Sequence, residues 1–232
     1  PWRATHYVGG IAWEPGNGWR LTAEGYRKDY RDYPVAIPYP SLSLANVGDT
    51  FNVRELLFPL TSKGTGRSQG VEIFLEKKLT ARLYGQANLS FSRTQHAGLD
   101  GVLRDGSFDY PAIANVVGGY RFGDRWELST RVSYLGGRPY TPYDEAVSSA
   151  QRRGVYDLSQ VNAIRAPAYF RWDVRVDRTF DVRGQPVVLF AGVQNVTNRR
   201  NFANFNWNRR TNAVEFSDQQ GLFPLLGFEW KF

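Results

Sequence analysis

Arginine and aromatic side chains gather in two segments of this chain, and these residue types are the ones best suited to holding a ligand. The first segment carries Arg138, Tyr140 and Tyr143. The second carries Arg199, Arg200, Phe202, Trp207, Arg209 and Arg210. A guanidinium grips carboxylate or phosphate through two parallel hydrogen bonds, and a ring stacks on a flat or sugar-like ligand. The same types also anchor against lipopolysaccharide or simply meet water. The run NRRNFANFNWNRR interleaves basic and aromatic residues as a single-stranded nucleic-acid surface would. It lies between two strand-like segments, so no nucleic-acid partner is expected. Covalent chemistry finds no support. His6 and His96 are far apart in sequence, and no Ser-His-Asp order or metal-ligand spacing stands out. Asp100, Asp105 and Asp109 lack the spacing of a calcium loop and read as a solvated loop. No catalytic residue, metal or cofactor is expected.

The elements that must position the loop residues follow a period of two. In FRWDVRVDRTF, Phe170, Trp172, Val174 and Val176 share one face, and Arg171, Asp173, Arg175 and Asp177 share the other. Side chains of a strand alternate sides, so this pattern makes one apolar and one charged face. WELSTRVSY, LYGQANLSF, VEIFLEKKL and LLGFEWKF repeat it. Nine strands are expected, near 4–14, 19–30, 66–79, 82–94, 108–122, 125–139, 168–181, 186–197 and 222–232. Short links fall near 15–18, 79–82, 122–125 and 182–185. Long links fall near 31–64, 95–107, 140–167 and 198–220. Short turns at one end and long loops at the other are the layout of an outer-membrane barrel, with the turns periplasmic. Trp13, Trp19, Phe122, Trp126 and Phe180 flank the short turns and read as an aromatic girdle at a membrane boundary, with Trp230 and Phe232 level with them.

Composition fits such a wall. Aromatic residues make up 15% of 232, yet mean hydropathy is negative at -0.45. Alternating apolar and polar residues cancel in an average. No run reaches the roughly 18 apolar residues of a spanning helix, while a barrel strand spans in about 9–11. Cys is absent, which excludes disulfides and thiolate metal sites within this sequence. The formal charge of +7 is dispersed through strand-like segments rather than gathered in runs. A polar lumen accounts for it better than a nucleic-acid face does.

Nine strands is an odd number, whereas single-chain bacterial barrels have an even one. The sequence also lacks Met and a secretory leader. An upstream region is therefore expected. Leu226, Phe228, Trp230 and Phe232 form an apolar strip on the last strand. A closing strand exposes an unpaired edge until the barrel shuts, which suits recognition by barrel-assembly machinery.

The segments SQGVEIFLEKKLTARLYGQANLSFSRTQ and FDYPAIANVVGGYRFGDRWELSTRVSYLGGRPYTPYD resemble barrel hairpins of TonB-dependent receptors. AYFRWDVRVDRTF followed by LFAGVQNVTNRRNF resembles the penultimate region of that barrel, and LLGFEWKF is similar to its last strand. The resemblance covers nearly the whole chain, most clearly 64–232. It implies an all-β, antiparallel transmembrane barrel of which residues 1–232 are the C-terminal portion, about nine of roughly 22 strands. It also implies an N-terminal plug that this sequence lacks, and energy coupling through that region to the TonB complex. The expected setting is the bacterial outer membrane, with lipid around the wall. The expected activity is non-enzymatic uptake of a small scarce nutrient such as an iron chelate, a cobalamin or a glycan. The residues alone leave open a smaller passive porin, an adhesive barrel, and a soluble lipocalin-like binder with its apolar face inside.

Overall fold

The structure, a computed structural model, describes residues 1–48 and 59–230. In chain order its strands begin with β1 (Arg3–Gly16), β2 (Trp19–Ala36), β3 (Leu60–Lys77), β4 (Leu83–Ala97) and β5 (Leu103–Asp105). Next come β6 (Ala112–Phe122), β7 (Trp126–Leu135), β8 (Pro139–Tyr140), β9 (Ile164–Arg165) and β10 (Tyr169–Val182). The last are β11 (Gln185–Gln194), β12 (Phe202–Asn208), β13 (Ala213–Asp218) and β14 (Phe223–Trp230). Two short helices, α1 (Leu44–Val47) and α2 (Glu145–Gln151), lie in the long links.

The nine expected strands are all present and form one antiparallel path, β1-β2-β3-β4-β6-β7-β10-β11-β14. Register carries the alternation across this sheet. One row of paired residues reads Leu21, Leu75, Ala87, Val116, Val132, Trp172. The row beside it, on the other face, reads Arg20, Glu76, Gln86, Val117, Arg131, Asp173. The wall is thus apolar on one side and largely polar on the other.

On β10 the apolar side runs from Phe170 to Phe180. Ten residue steps cover about 34 Å along a strand. A tilt of about 40° makes that about 26 Å in height, close to the apolar band of a membrane barrel. Arg178 interrupts the strip near its base. Its guanidinium lies over the rings of Trp126 and Phe180, at 4.9 and 4.7 Å from their centroids. Its long stem keeps it at the short-turn end, where a charged head reaches water.

Two short turns explain themselves from their residues. Asn17 and Gly18 have φ of 51° and 74°, and Arg183 and Gly184 have 56° and 77°. Both pairs bridge two-residue hairpins that need positive φ at both central positions, where glycine carries no steric cost. The five residues expected to form a girdle all fall on the apolar face beside short turns, with Phe122 and Trp126, on either side of the 123–125 turn, stacked at 6.1 Å.

The structure departs from the sequence-based boundaries at the long-link end. β2 and β3 continue past 30 and begin before 66, so the link between them shrinks to 37–59. Asp32, at φ 57°, sits in a register shift that absorbs the turn-like residues Asp32 and Pro34 without ending the ladder. β6 starts at Ala112 rather than 108, because Pro111 has no N–H to donate. The links 140–167 and 198–220 are not bare loops. They hold the pairs β8-β9 and β12-β13 and the helix α2. Positions 49–58, within the expected 31–64 link, and Phe232 of the terminal strip lie outside the described residues.

Buried apolar side chains sit at the long-link end, not in the wall. Ala36, Leu42 and Val161 cluster there, with Leu158 packed against them. Val35, Val47 and Ala97 are buried beside β2, α1 and β4. The strip residues Val71, Leu75, Phe91, Leu128 and Trp172 are exposed. A soluble binder with an apolar interior would show the reverse.

Candidate functional site

The long links fold over the polar face and build clefts there. Asp144 caps α2 by accepting a hydrogen bond from the Val147 backbone N–H at 3.0 Å. β12 and β13 pair Phe205 with Phe216 and Trp207 with Val214. Odd-numbered residues of β12 therefore share a face, and that face meets Tyr140 and Tyr143. Tyr140 and Phe205 are 4.6 Å apart between ring centroids, Tyr143 and Phe205 5.3 Å, and Tyr143 and Trp207 6.1 Å. Tyr143 also stacks on Tyr156 at 4.8 Å. A Cβ at Gly154 would lie 2.6 Å from the Tyr143 ring and 3.1 Å from Trp207 Cβ, so glycine lets the two segments close.

These rings wall a cleft of about 650 Å³ shared with α2 and β13. Two polar atoms of residues that line it, Trp207 Nε1 and Asn212 Oδ1, are buried and have no hydrogen-bond partner among the described residues. One is a donor and the other an acceptor. Such groups carry a desolvation penalty that a ligand with matching polarity would remove. Asn212 is held in place by its Nδ2, which donates to Ser149 Oγ at 2.6 Å. Burial pushes the Tyr140 hydroxyl pKa up, so that ring stays a neutral donor.

The expected ligand residues thus divide. Tyr140, Tyr143 and Trp207 come together. Arg138 lines a separate cleft of about 430 Å³ with Arg131, Tyr169 and Phe202. Arg199 donates through Nη2 to the Ala168 carbonyl at 2.6 Å and fastens two links to each other. Arg200 is exposed beside it, and Arg209 and Arg210 are exposed at the tip of the β12-β13 hairpin. Sequence reasoning missed Phe205, Tyr156, Phe216 and Asn212. The alternation of Phe205 and Trp207 in NFANFNW was the available signal.

The acidic segment is corrected. Asp109 is 2% exposed, not solvated. Arg165 Nη2 lies 2.5 Å from carboxylate oxygens of both Asp105 and Asp109. Its Nη1 donates to the carbonyls of Asp109 and Gly137. Burial lowers the pKa of this guanidinium, but hydrogen bonds to the two carboxylates outweigh it and raise the value. Arg104 donates to Asp100 and holds that carboxyl below its ordinary range. Asp105 and Asp109 thus tie two links together through Arg165, and Asp100 is paired within its own link.

An antiparallel wall with one apolar and one polar face, and long links folded over the polar face, is the architecture of a transmembrane β-barrel wall. The chain belongs to the TonB dependent receptor-like, beta-barrel family, whose model matches residues 1–196. No curated protein matches it. Among solved structures, the ferric-catecholate import receptor Fiu of E. coli K12 aligns at TM-score 0.68 and 14% identity, over 98% of this chain and 27% of that one. The siderophore receptor PiuA of Acinetobacter baumannii aligns at 0.66 and 16%, over 99% and 28%. The FrpB iron transporter of Neisseria meningitidis aligns at 0.59 and 15%, over 98% and 31%. The chain therefore spans about 27–31% of the length of these structures, and the likeness is one of fold. The family is one of receptors and transporters rather than enzymes.

Proposed function

We propose that this chain is the C-terminal part of the barrel of an outer-membrane receptor that actively imports an iron chelate. The observation that carries the reading is the aromatic cleft of Tyr140, Tyr143, Phe205 and Trp207 at the long-link end, with its unpaired donor and acceptor. Rings suit a flat organic chelator, and the exposed arginines nearby suit its negative charge. The aligned structures are a ferric-catecholate import receptor, a siderophore receptor and an iron transporter, which favours an iron chelate over a cobalamin or a glycan. On this reading lipid surrounds the apolar face, and Trp13, Trp19, Phe122, Trp126 and Phe180 lie at its periplasmic boundary. Energy coupling reaches the barrel from TonB through an N-terminal plug. Leu226, Phe228 and Trp230, on the end strand of the path, serve barrel assembly together with Phe232.

The test uses the full-length protein that carries this chain. Its affinity for ferric complexes of a catecholate and of a hydroxamate chelator is read from tryptophan fluorescence, and cellular uptake from radioactive iron. Trp207→Ala weakens binding of one of them about tenfold or more, equivalent to about 1.4 kcal/mol. A protonophore stops uptake. Uptake indifferent to both changes would contradict the proposal and leave a passive channel.

A further inference from the structure

β1 to β4 rise above β6, β7 and β10, and the outer face of β2, β3 and β4 changes character along its height. From the row Leu21-Leu75-Ala87 to the row Gly25-Val71-Phe91, outward positions are apolar or glycine. The next row is Arg27-Gln69-Arg93, the next Asp29-Arg67-Gln95, and the third Arg31-Thr65, with Arg3 of β1 opposite Arg31. Five arginines and one aspartate thus share one outward patch. The corresponding ends of β6, β7 and β10 finish on Ala112, Tyr134 and Phe170, so the charge is local.

The carboxylates in and beside this patch hold the guanidiniums from beneath. Asp29 is 3.0 Å from Arg27 Nε and 3.5 Å from Arg67 Nε. Asp105 is 3.6 Å from Arg93 and Asp32 is 3.6 Å from Arg3. The arginines are the outer partners. Side chains of Arg27, Arg67 and Arg93 are 48%, 47% and 63% exposed, against 33% and 18% for Asp29 and Asp105. An arginine oriented this way presents its remaining N–H edges outward, the geometry that binds phosphate oxygens in pairs.

We infer that this patch binds the phosphorylated headgroup of an outer-leaflet lipid, with the acyl chains laid along the apolar strip below. The inference rests on the proposed outer-membrane setting. Continuity selects a lipid over a free ion, because on the same strands exposed Phe91 lies directly beneath Arg93, and exposed Val71 lies beneath Gln69, two rows below Arg67. Adjacent strands are about 4.8 Å apart, so Arg27 and Arg93 flank Gln69 across about 10 Å. That span fits a headgroup bearing more than one phosphate.

The test is native mass spectrometry of the full-length protein in non-ionic detergent, titrated with diphosphoryl lipid A, its dephosphorylated form, or inorganic phosphate. The wild type retains the diphosphoryl lipid and releases the dephosphorylated one. The variant Arg27→Gln/Arg67→Gln/Arg93→Gln loses retention at least tenfold. Removing equal charge from the short turns, with Arg82→Gln/Arg125→Gln/Arg183→Gln, leaves it intact. Arg→Lys at the three patch positions keeps the charge and falls between, which separates lost binding from lost folding. Equal retention by the wild type and the triple glutamine variant would overturn the inference. So would equal retention of the dephosphorylated lipid, or displacement by inorganic phosphate at matched concentration. The assay uses purified protein without chelate, so its result stands apart from whether iron uptake is observed.

Discussion

Individual residues hold the inner face of this wall in shape by exploiting glycine. The Tyr84 ring lies over Gly119, its partner across β4 and β6, where any Cβ would collide with it. From there the hydroxyl donates to Glu127, which also accepts from Arg121 Nε at 2.8 Å. Phe190 covers Gly227 in the same manner across β11 and β14. Gly119→Val must displace the Tyr84 ring and break its bond to Glu127. A destabilisation of about 1–3 kcal/mol is expected, read as a lower temperature for the heat-modified shift of the barrel on a gel. Gly101→Ala, with only open space around its Cβ position, serves as a comparison whose cost is confined to its φ of 71°. An unchanged transition for Gly119→Val would mean that the ring does not depend on the glycine.

At the scale of elements, the links are as structured as the wall, and Arg165 is their principal latch. It joins β9 to the 105–109 segment and to Gly137. Arg165→Ala leaves Asp109 buried with, among the described residues, one backbone donor, Thr94 N–H at 2.6 Å. A loss of about 3 kcal/mol is expected, confined to the links. Limited proteolysis then cuts within 98–111 and 152–167 while the barrel still shows its heat-modified shift. Cleavage no faster than in the wild type would refute the latch. Most of the nine long strands were legible from an apolar–polar alternation, whereas those near 4–14, 108–122 and 186–197 alternate less cleanly and were legible from the turn residues that bound them. β8 and β9 were not, since two-residue strands offer no period to read. β12 was obscured by its asparagines, which usually mark turns, although Phe205 and Trp207 alternate within it. Arg165 stands 56 residues from Asp109, and nothing local to either betrays a long-range ion pair. The aromatic cleft was half legible for the same reason: ring types drew attention to Tyr140, Tyr143 and Trp207, but only pairing of β12 with β13 brings Asn212 beside them.

At the scale of the molecule, the inside and outside of an ordinary globular protein are exchanged. The wall buries almost none of its apolar residues, and its charged pairs, such as Arg171–Asp173 at 2.7 Å, line the opposite face. In water this would leave a continuous apolar strip facing solvent, far beyond the patches that monomeric proteins tolerate. A hydrocarbon surround removes that cost, and the antiparallel ladder satisfies the backbone groups that lipid cannot. The absence of cysteine from this chain makes the claim directly testable along β10. Single cysteines placed at 171 to 176 in the full-length protein, in whole outer membranes, are challenged with a water-soluble maleimide. The account predicts strict alternation: labelling at 171, 173 and 175, and protection at 172, 174 and 176. Equal labelling at all six positions, or protection at the odd ones, would contradict a wall with lipid on its apolar face.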